Sequence, residues 1–491
     1  MGCSQGIGTL ARGMCKLSVH FDRKIKLLEK PFVPPTITLK DVHDAVPKHL
    51  LRKNPWLSSY YCIRDVVCCA AIFYYGFSIE HILAGNFGGF VPLSAAWQIR
   101  VARAALWLVY WWFQGLSFAG FFCIAHELGH QTLFNNRYVN DTLGYFFHTL
   151  IMAPFFAWKA SHNAHHRTVA SIERDENYVP YERSDYPLPP KEKAKSVDYL
   201  EVFDETPILT LGRMLVMQGM GWWLYMTINA AGSNRYPKGT NHFSPYSPLF
   251  RPDQSTIAVL INVVELDMIR SGLGILLSDI GILGMGLVLR RAANLYGAWA
   301  VFMYYFIPYV LCNHWFKLLN HTVGLVVMLT YLHHSDPTIP HYRKDEWSWV
   351  RGAAATVDRP LLGWAGRFFL HNVSHDHVAH HFFSYAPFYH QPEITRCVRK
   401  VLKDDYNYDS TVSVTWVGNT GMSDTHVRAQ NTFYALYRSF TQCIYVDDDE
   451  SIVFYRNKFG ESVRGVAKDK LQQVDENWNP EEQDNGTKVV E

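Results

Sequence analysis

Apolar positions in this chain gather into long blocks set between polar, Pro-rich loops. The first block runs over 66–85, with Arg64 and Asp65 at its near edge and Glu80 and His81 close to its far end. The second, 104–125, reads AALWLVYWWFQGLSFAGFFCIA and carries no formal charge. As a helix it is long enough to cross a hydrocarbon core of about 30 Å. A shorter block, 142–158, contains Pro154 and is expected to form an interfacial or re-entrant helix. A third candidate span, 207–231, is rich in Met, Trp and Gly and is interrupted by Arg213. Blocks at 273–289, with Asp279 inside, and 295–316 are separated by Arg290 and Arg291, and a last one covers 323–332. The pattern predicts an all-α integral membrane protein with four to six transmembrane helices and a helical cap.

The polar stretches organise the rest. Residues 1–57 are polar and basic and read as a cytosolic N-terminal arm. Residues 58–400 form the membrane-embedded body, and 401–491 a charged cytosolic tail whose end, 466–491, is expected to be disordered. The arm and the charged blocks at 159–205 and 333–400 should share one side, which the positive-inside bias puts in the cytosol. No secretory signal is expected: the first apolar stretch is short and is followed by Arg12, Lys16, Arg23, Lys24 and Lys26. Met1-Gly2-Cys3 fails as a myristoylation signal because position six is Gly6. Targeting would then come from internal spans. No repeat appears at solenoid periods.

Composition adds three points. Trp (15) and Tyr (28) are plentiful, the types that gather at membrane–water interfaces. A net charge of +2 offers nothing to a nucleic-acid partner. The nine cysteines show no CxxC pair, and Cys62, Cys68, Cys69 and Cys123 sit in or beside apolar runs, so reduced thiols are expected rather than bridges.

Histidine is the outlier, and its placement carries the chemistry. Three clusters stand out: His126-Glu127-Leu128-Gly129-His130, His162-Asn163-Ala164-His165-His166 and His377-Val378-Ala379-His380-His381. In a helix, residues three and four apart share a face, so each cluster offers several imidazoles in one direction. With 23 histidines in 491 residues, HxxHH should arise at a given start about once in ten thousand, so two copies argue for selection of the pattern. The first cluster follows the second block, the second follows the short block, and the third lies beyond the last, so all can meet just outside the membrane. Eight imidazoles exceed the needs of one tetrahedral zinc. Two ions with a place left for O2 fit better, and iron is favoured because it is redox-active, although imidazole suits several metals. His334 is a ninth candidate ligand and His371 another. Glu127, Glu173, Asp175 and Asp376 can accept the second ring N–H of ligand histidines. No catalytic residue beyond the metal ligands is indicated. A rival reading takes HELGH as the HExxH of an intramembrane zinc protease, with Glu127 as base. It leaves the two HxxHH clusters unused. A haem carrier would need paired histidines inside opposed spans.

HELGHQ, SHNAHH and HVAHH resemble the three boxes of the membrane fatty acid desaturases. The resemblance extends to KPFVPP from Lys30, DAVPKH from Asp44, SIERDE from Ser171, HSDPTIPHY from His334, EW at Glu346, RGA at Arg351, TVDR at Thr356 and HN at His371, and covers about 30–410. These are similar to the delta-12 oleate desaturases, with a fungal flavour around Phe454-Tyr455. The resemblance implies an endoplasmic reticulum enzyme, active site facing the cytosol, converting oleoyl to linoleoyl groups on phospholipid. It implies two irons on His126, His130, His162, His165, His166, His377, His380 and His381, with His334 carried over as a family histidine. Electrons would come from NADH through a reductase and a separate cytochrome b5, since no HPGG-type haem motif appears. Omega-3 desaturases, acetylenases, conjugases and hydroxylases share such boxes. Leu128 stands where Cys is usual, Asn163-Ala164 where basic residues are common, and 315–331 and 412–431 look longer than the family pattern.

Overall fold

A computed structural model describes residues 31–85, 95–250, 272–313, 326–409 and 432–467. Two helical hairpins form the apolar body. Helix α1 (Leu39–Asp44) belongs to the arm, and the first hairpin pairs α2 (Pro55–Ala84) with α3 (Ala96–Gly129). Asn54 caps α2 by accepting from the backbone N–H of Trp56 and Leu57, with Pro55 in the first turn where no N–H is needed. The two helices run antiparallel: Cys69 meets Gln114, Gly76 lies against Tyr110, and Glu80 pairs with Arg103. A Cβ at Gly76 would stand 2.6 Å from the Tyr110 ring, so the close approach requires glycine there.

The second hairpin contains α8 (Gly272–Tyr296), α9 (Ala298–Val301), a π-helical turn (Phe302–Phe306) and α10 (Ile307–Asn313). Arg290 and Arg291 do not break the helix as the sequence suggested. The reversal comes at Gly297, where φ is +89°, a conformation that favours glycine. The returning leg runs parallel to α3: Tyr110 donates to Tyr304 O (2.7 Å), Trp111 to Met303 O (2.9 Å), and Gly115 faces Leu311. Among the described residues, α2, α3 and α8 are long and apolar enough to cross a membrane, and Ala298–Cys312 is a shorter apolar stretch.

Among the described residues, blocks 142–158 and 207–231 supply no further candidate span. Block 142–158 divides into α4 (Arg137–Leu150) and α5 (Phe155–Thr168), broken at Met152–Pro154, so its second half begins the helix that carries the second histidine cluster. Block 207–231 becomes α7 (Pro207–Ile228), after the short α6 (Ser196–Phe203). Just before α7, Asp204 pairs with Lys458 (2.7 Å); just after it, Ala231 O accepts from Tyr178 N (2.7 Å). Both ends therefore meet the same polar layer, and the helix lies along that layer with Ile208, Leu215 and Met220 exposed. Hydropathy reports contact with lipid, not the direction of a helix.

That polar layer holds α11 (Val326–His334), α12 (Trp349–Ala354), α13 (Trp364–Phe369), α14 (His377–Phe382), α15 (Gln391–Leu402) and α16 (Thr432–Gln442). Its only regular sheet among the described residues pairs β1 (His341–Tyr342) with β2 (Ile452–Val453), antiparallel, His341 opposite Val453. Leu39 and Val42 of the arm pack with Val350, Val378 and Phe382, while Val446, Val453 and Tyr455 pack on Ile172. Segments from both ends of the chain thus brace the histidine-bearing helices. Val466 and Ala467 also pack here, Ala467 N donating to Phe32 O; the rest of the expected disordered end, 468–491, lies outside the described residues, as do 314–325 and 410–431, most of the two long intervals. The seven described cysteines are free, in keeping with reduced thiols.

Candidate metal centre

Four helix ends bring nine imidazoles together. The last turn of α3 supplies His126 and the residue that caps it His130, α5 supplies His162, His165 and His166, the end of α11 supplies His334, and α14 supplies His377, His380 and His381. They sort into two groups. Ring nitrogens of His126, His130, His162, His166 and His380 lie within 4.8 Å of one another, as do those of His165, His334 and His381, and either group could hold a metal ion. His377 joins the second group, its Nε2 3.1 Å from the Nε2 of both His334 and His381. The groups adjoin, for the rings of His166 and His381 stack at 4.1 Å.

The HxxHH spacing explains the division. Successive helix residues turn by about 100°, so i and i+4 point within about 40° of each other while i+3 diverges from i+4 by about 100°. His162 and His166 accordingly face the first group and His165 the second. In α14 the assignment reverses: His377 and His381 face the second group and His380 the first. Each HxxHH box serves both groups, whereas His126 and His130 of the first box both face the first group.

The donor set fits metal. Nε2–Nε2 separations of 3.1 Å (His162–His166) and 3.2 Å (His165–His334) match the spacing of adjacent ligands around an ion with bonds of about 2.1 Å. The Nε2 atoms of His130 and His380 are buried with no hydrogen-bond partner in the protein, a costly state unless something else binds them. Burial first, then the neighbouring imidazoles, holds His162, His166, His334, His377 and His381 far below the usual histidine range, and His380 down to about 3. The rings are therefore neutral, the form a metal requires.

Outer partners fix ring orientation. His165 Nδ1 sits 2.6 Å from Asp175 Oδ1, and Asp175 is held by the backbone N–H of Ala170 (2.8 Å). His126 Nδ1 is 3.2 Å from Glu127 Oε1, whose second oxygen accepts from Thr132 (2.9 Å). The other two carboxylates do different work. Asp376 pairs with Arg367 (3.1 Å) and Glu173 lies near Arg343 (3.9 Å). His371, named with the ligands from sequence, instead bonds Asp65 (2.6 Å) and stays out of both groups. Aromatic supports escaped the sequence reading: Tyr178 stacks on His334 at 5.3 Å, Trp158 on His162 at 4.5 Å, and His333 on His377 at 4.1 Å. Only the adjacency of His333 to His334 hinted at any of them. Asp175→Ala is expected to lower metal affinity about 10–100-fold, measured by metal retained after graded chelation; unchanged retention would remove Asp175 from the centre.

A cavity of about 590 Å³ opens beside the imidazoles. His126, His162, His165, His334 and His377 reach its wall, and the rest is mostly apolar, including Phe122, Trp222, Met217, Leu329 and Val373. Glu127 is 1% exposed, bonded to His126 and Thr132, and does not line the cavity, so it is not placed as the base that a zinc protease needs.

Spanning helices, a nine-imidazole centre and an apolar cavity touching it define a histidine-centred membrane enzyme. The chain belongs to the fatty acid desaturase family, whose model matches residues 105–412, and is an acyl-lipid oxidoreductase. A domain of unknown function also matches 21–73. The Delta(12)-oleate desaturase of Trichosanthes kirilowii is 33% identical over 437 residues, covering 87% of this chain and 97% of the relative. The Delta(12) fatty acid desaturase of Mortierella isabellina is 30% identical over 87% of this chain and 92% of its own length. The oleoyl-12-hydroxylase of Ricinus communis is 32% identical, with 88% and 94% covered.

Proposed function

We propose that the chain is a di-iron delta-12 desaturase that converts oleoyl to linoleoyl groups on phospholipid. The carrying observation is that imidazoles of both groups form the wall of one apolar cavity. In this reading His126, His130, His162, His166 and His380 hold one iron, and His165, His334, His377 and His381 the other. Iron suits an all-imidazole set that must change oxidation state. Bound iron supplies the oxidising chemistry: two hydrogens leave adjacent methylenes as a cis alkene forms, while O2, with two further electrons and protons, becomes two waters. The electrons come from NADH through a reductase and cytochrome b5. The enzyme sits in the endoplasmic reticulum membrane with its polar layer in the cytosol. Family membership supports both statements.

The protein's own part is binding, orientation and exclusion of water. Phe122, Trp158 and Trp222 are each at most 5% exposed and close the cavity against water beside His126 and His162. Asp175 and Glu127 fix the rings they touch, so the imidazoles need no rearrangement as charge changes at the centre.

Hydroxylation at the same carbon is the second reading, favoured because the Ricinus hydroxylase is about as similar as the desaturases. Expression in yeast lacking polyunsaturated lipids, followed by chromatography of its fatty esters, separates these. A diene with its new double bond at carbon 12 is expected. A 12-hydroxy ester would favour the second reading, and a triene formed only from fed linoleate an omega-3 desaturase. Unchanged esters with the protein present in membranes would overturn the assignment.

A further inference from the structure

The cavity has a closed end and an open one. Phe122, Cys123, Trp158 and Trp222 form the closed end, each at most 5% exposed. The open end lies on the first half of α7, where Leu209 is 59% and Val216 53% exposed. Gly212 leaves the opening clear, since a Cβ there would meet nothing within 4 Å. Beside it is Arg213, the one Lys, Arg, Asp or Glu among the described residues that line the cavity. A trail of rings leads inward from it: its guanidinium sits over Phe440 (5.7 Å), Phe440 lies 5.8 Å from Tyr331, Tyr331 6.2 Å from Tyr178, and Tyr178 stacks on His334.

An acyl chain is tethered to its carrier through its carboxyl carbon, so only the methyl end can reach a closed pocket. The carrier must stay at the opening. Because both ends of α7 meet the polar layer, the exposed Arg213 lies along that layer, where a polar headgroup can meet it. Its Nη1 donates to Glu205, which holds the side chain in place. A guanidinium has five donors, and the planar fork matches phosphate oxygens.

We propose that Arg213 binds a phosphate oxygen of the acyl carrier, and thereby sets how deep the chain sits relative to the imidazoles. The inference rests on the acyl-lipid reading above. The phosphate could belong to a membrane phosphodiester or to the pyrophosphate of a coenzyme A thioester.

The test uses the full-length enzyme with its electron donors in uncharged detergent micelles, offered dioleoylphosphatidylcholine, oleoyl-coenzyme A or methyl oleate. For the phosphate-bearing substrate that the enzyme uses, Arg213→Gln should raise KM about tenfold at unchanged kcat, and Arg213→Lys should restore part of it. Binding of that substrate, followed by tryptophan fluorescence, should weaken by the same factor. Constants for methyl oleate should not move. Whichever phosphate substrate loses affinity identifies the carrier. Equal losses on methyl oleate would show a merely structural role and overturn the inference, as would unchanged KM for both phosphate substrates. A wild-type enzyme that acts on none of the three would overturn the acyl-lipid reading itself.

Discussion

His165→Ala is expected to abolish desaturation, a loss of more than about a hundredfold, while the chain still inserts in the membrane. His165 is the only member of the second box that faces the second imidazole group, its Nε2 3.2 Å from that of His334. Its removal leaves that group with three rings. It also leaves Asp175, 4% exposed, without the imidazole it orients. Insertion should survive because α2, α3 and α8 carry the spanning apolar surface and α5 does not. Fatty ester chromatography and an immunoblot of the membrane fraction measure the two effects together. Full activity would take His165 out of the ligand set; loss of the protein from membranes would assign it a structural role.

Arg359→Leu is expected to destabilise the protein by about 3–5 kcal/mol, the cost of breaking a buried ion pair from one side. The Arg359 side chain is 0% exposed and lies between two carboxylates, Asp336 (2.6 Å) and Asp409 (2.8 Å). Burial alone would raise the Asp336 carboxyl, but Arg438 and Arg359 outweigh it and hold that group below the usual carboxylate range. Without Arg359, Asp409 loses its buried cation and Asp336 keeps Arg438 as its cation, with Thr338 still donating to it. Arg359 Nε also donates to Leu332 O (2.7 Å), two residues before His334, so the substitution should loosen the second imidazole group as well. Thermal unfolding of the purified protein measures the first effect and metal retention the second. An unchanged unfolding temperature would mean that the ion cluster relaxes without cost.

The histidine boxes were legible because their information is local. Spacing of three and four residues is a property of one helix, and it named eight of the nine gathered imidazoles without any knowledge of packing. His334 stood out only by its place at the end of an apolar block, and His371, picked out six residues before the third box, turned out to serve Asp65. What distinguishes them is a partner 306 residues away in the chain, which no local pattern carries. The course of α7 was hidden for the same reason. Its composition suits a span, but Lys458 and Tyr178 hold both of its ends to one layer. Arg213, an interruption in a supposed span, becomes intelligible only once the helix lies flat. The split of each HxxHH box between two groups followed from helix geometry and was available in principle. It needed the relative orientation of α5 and α14 to show which histidines go together.

Metal content per chain tests the centre most directly. Protein purified from iron-replete cells, without chelators, should carry two irons and little zinc by plasma mass spectrometry, and His165→Ala should retain less. A single zinc per chain, or no iron under any preparation, would contradict the assignment of these nine imidazoles to a redox-active pair.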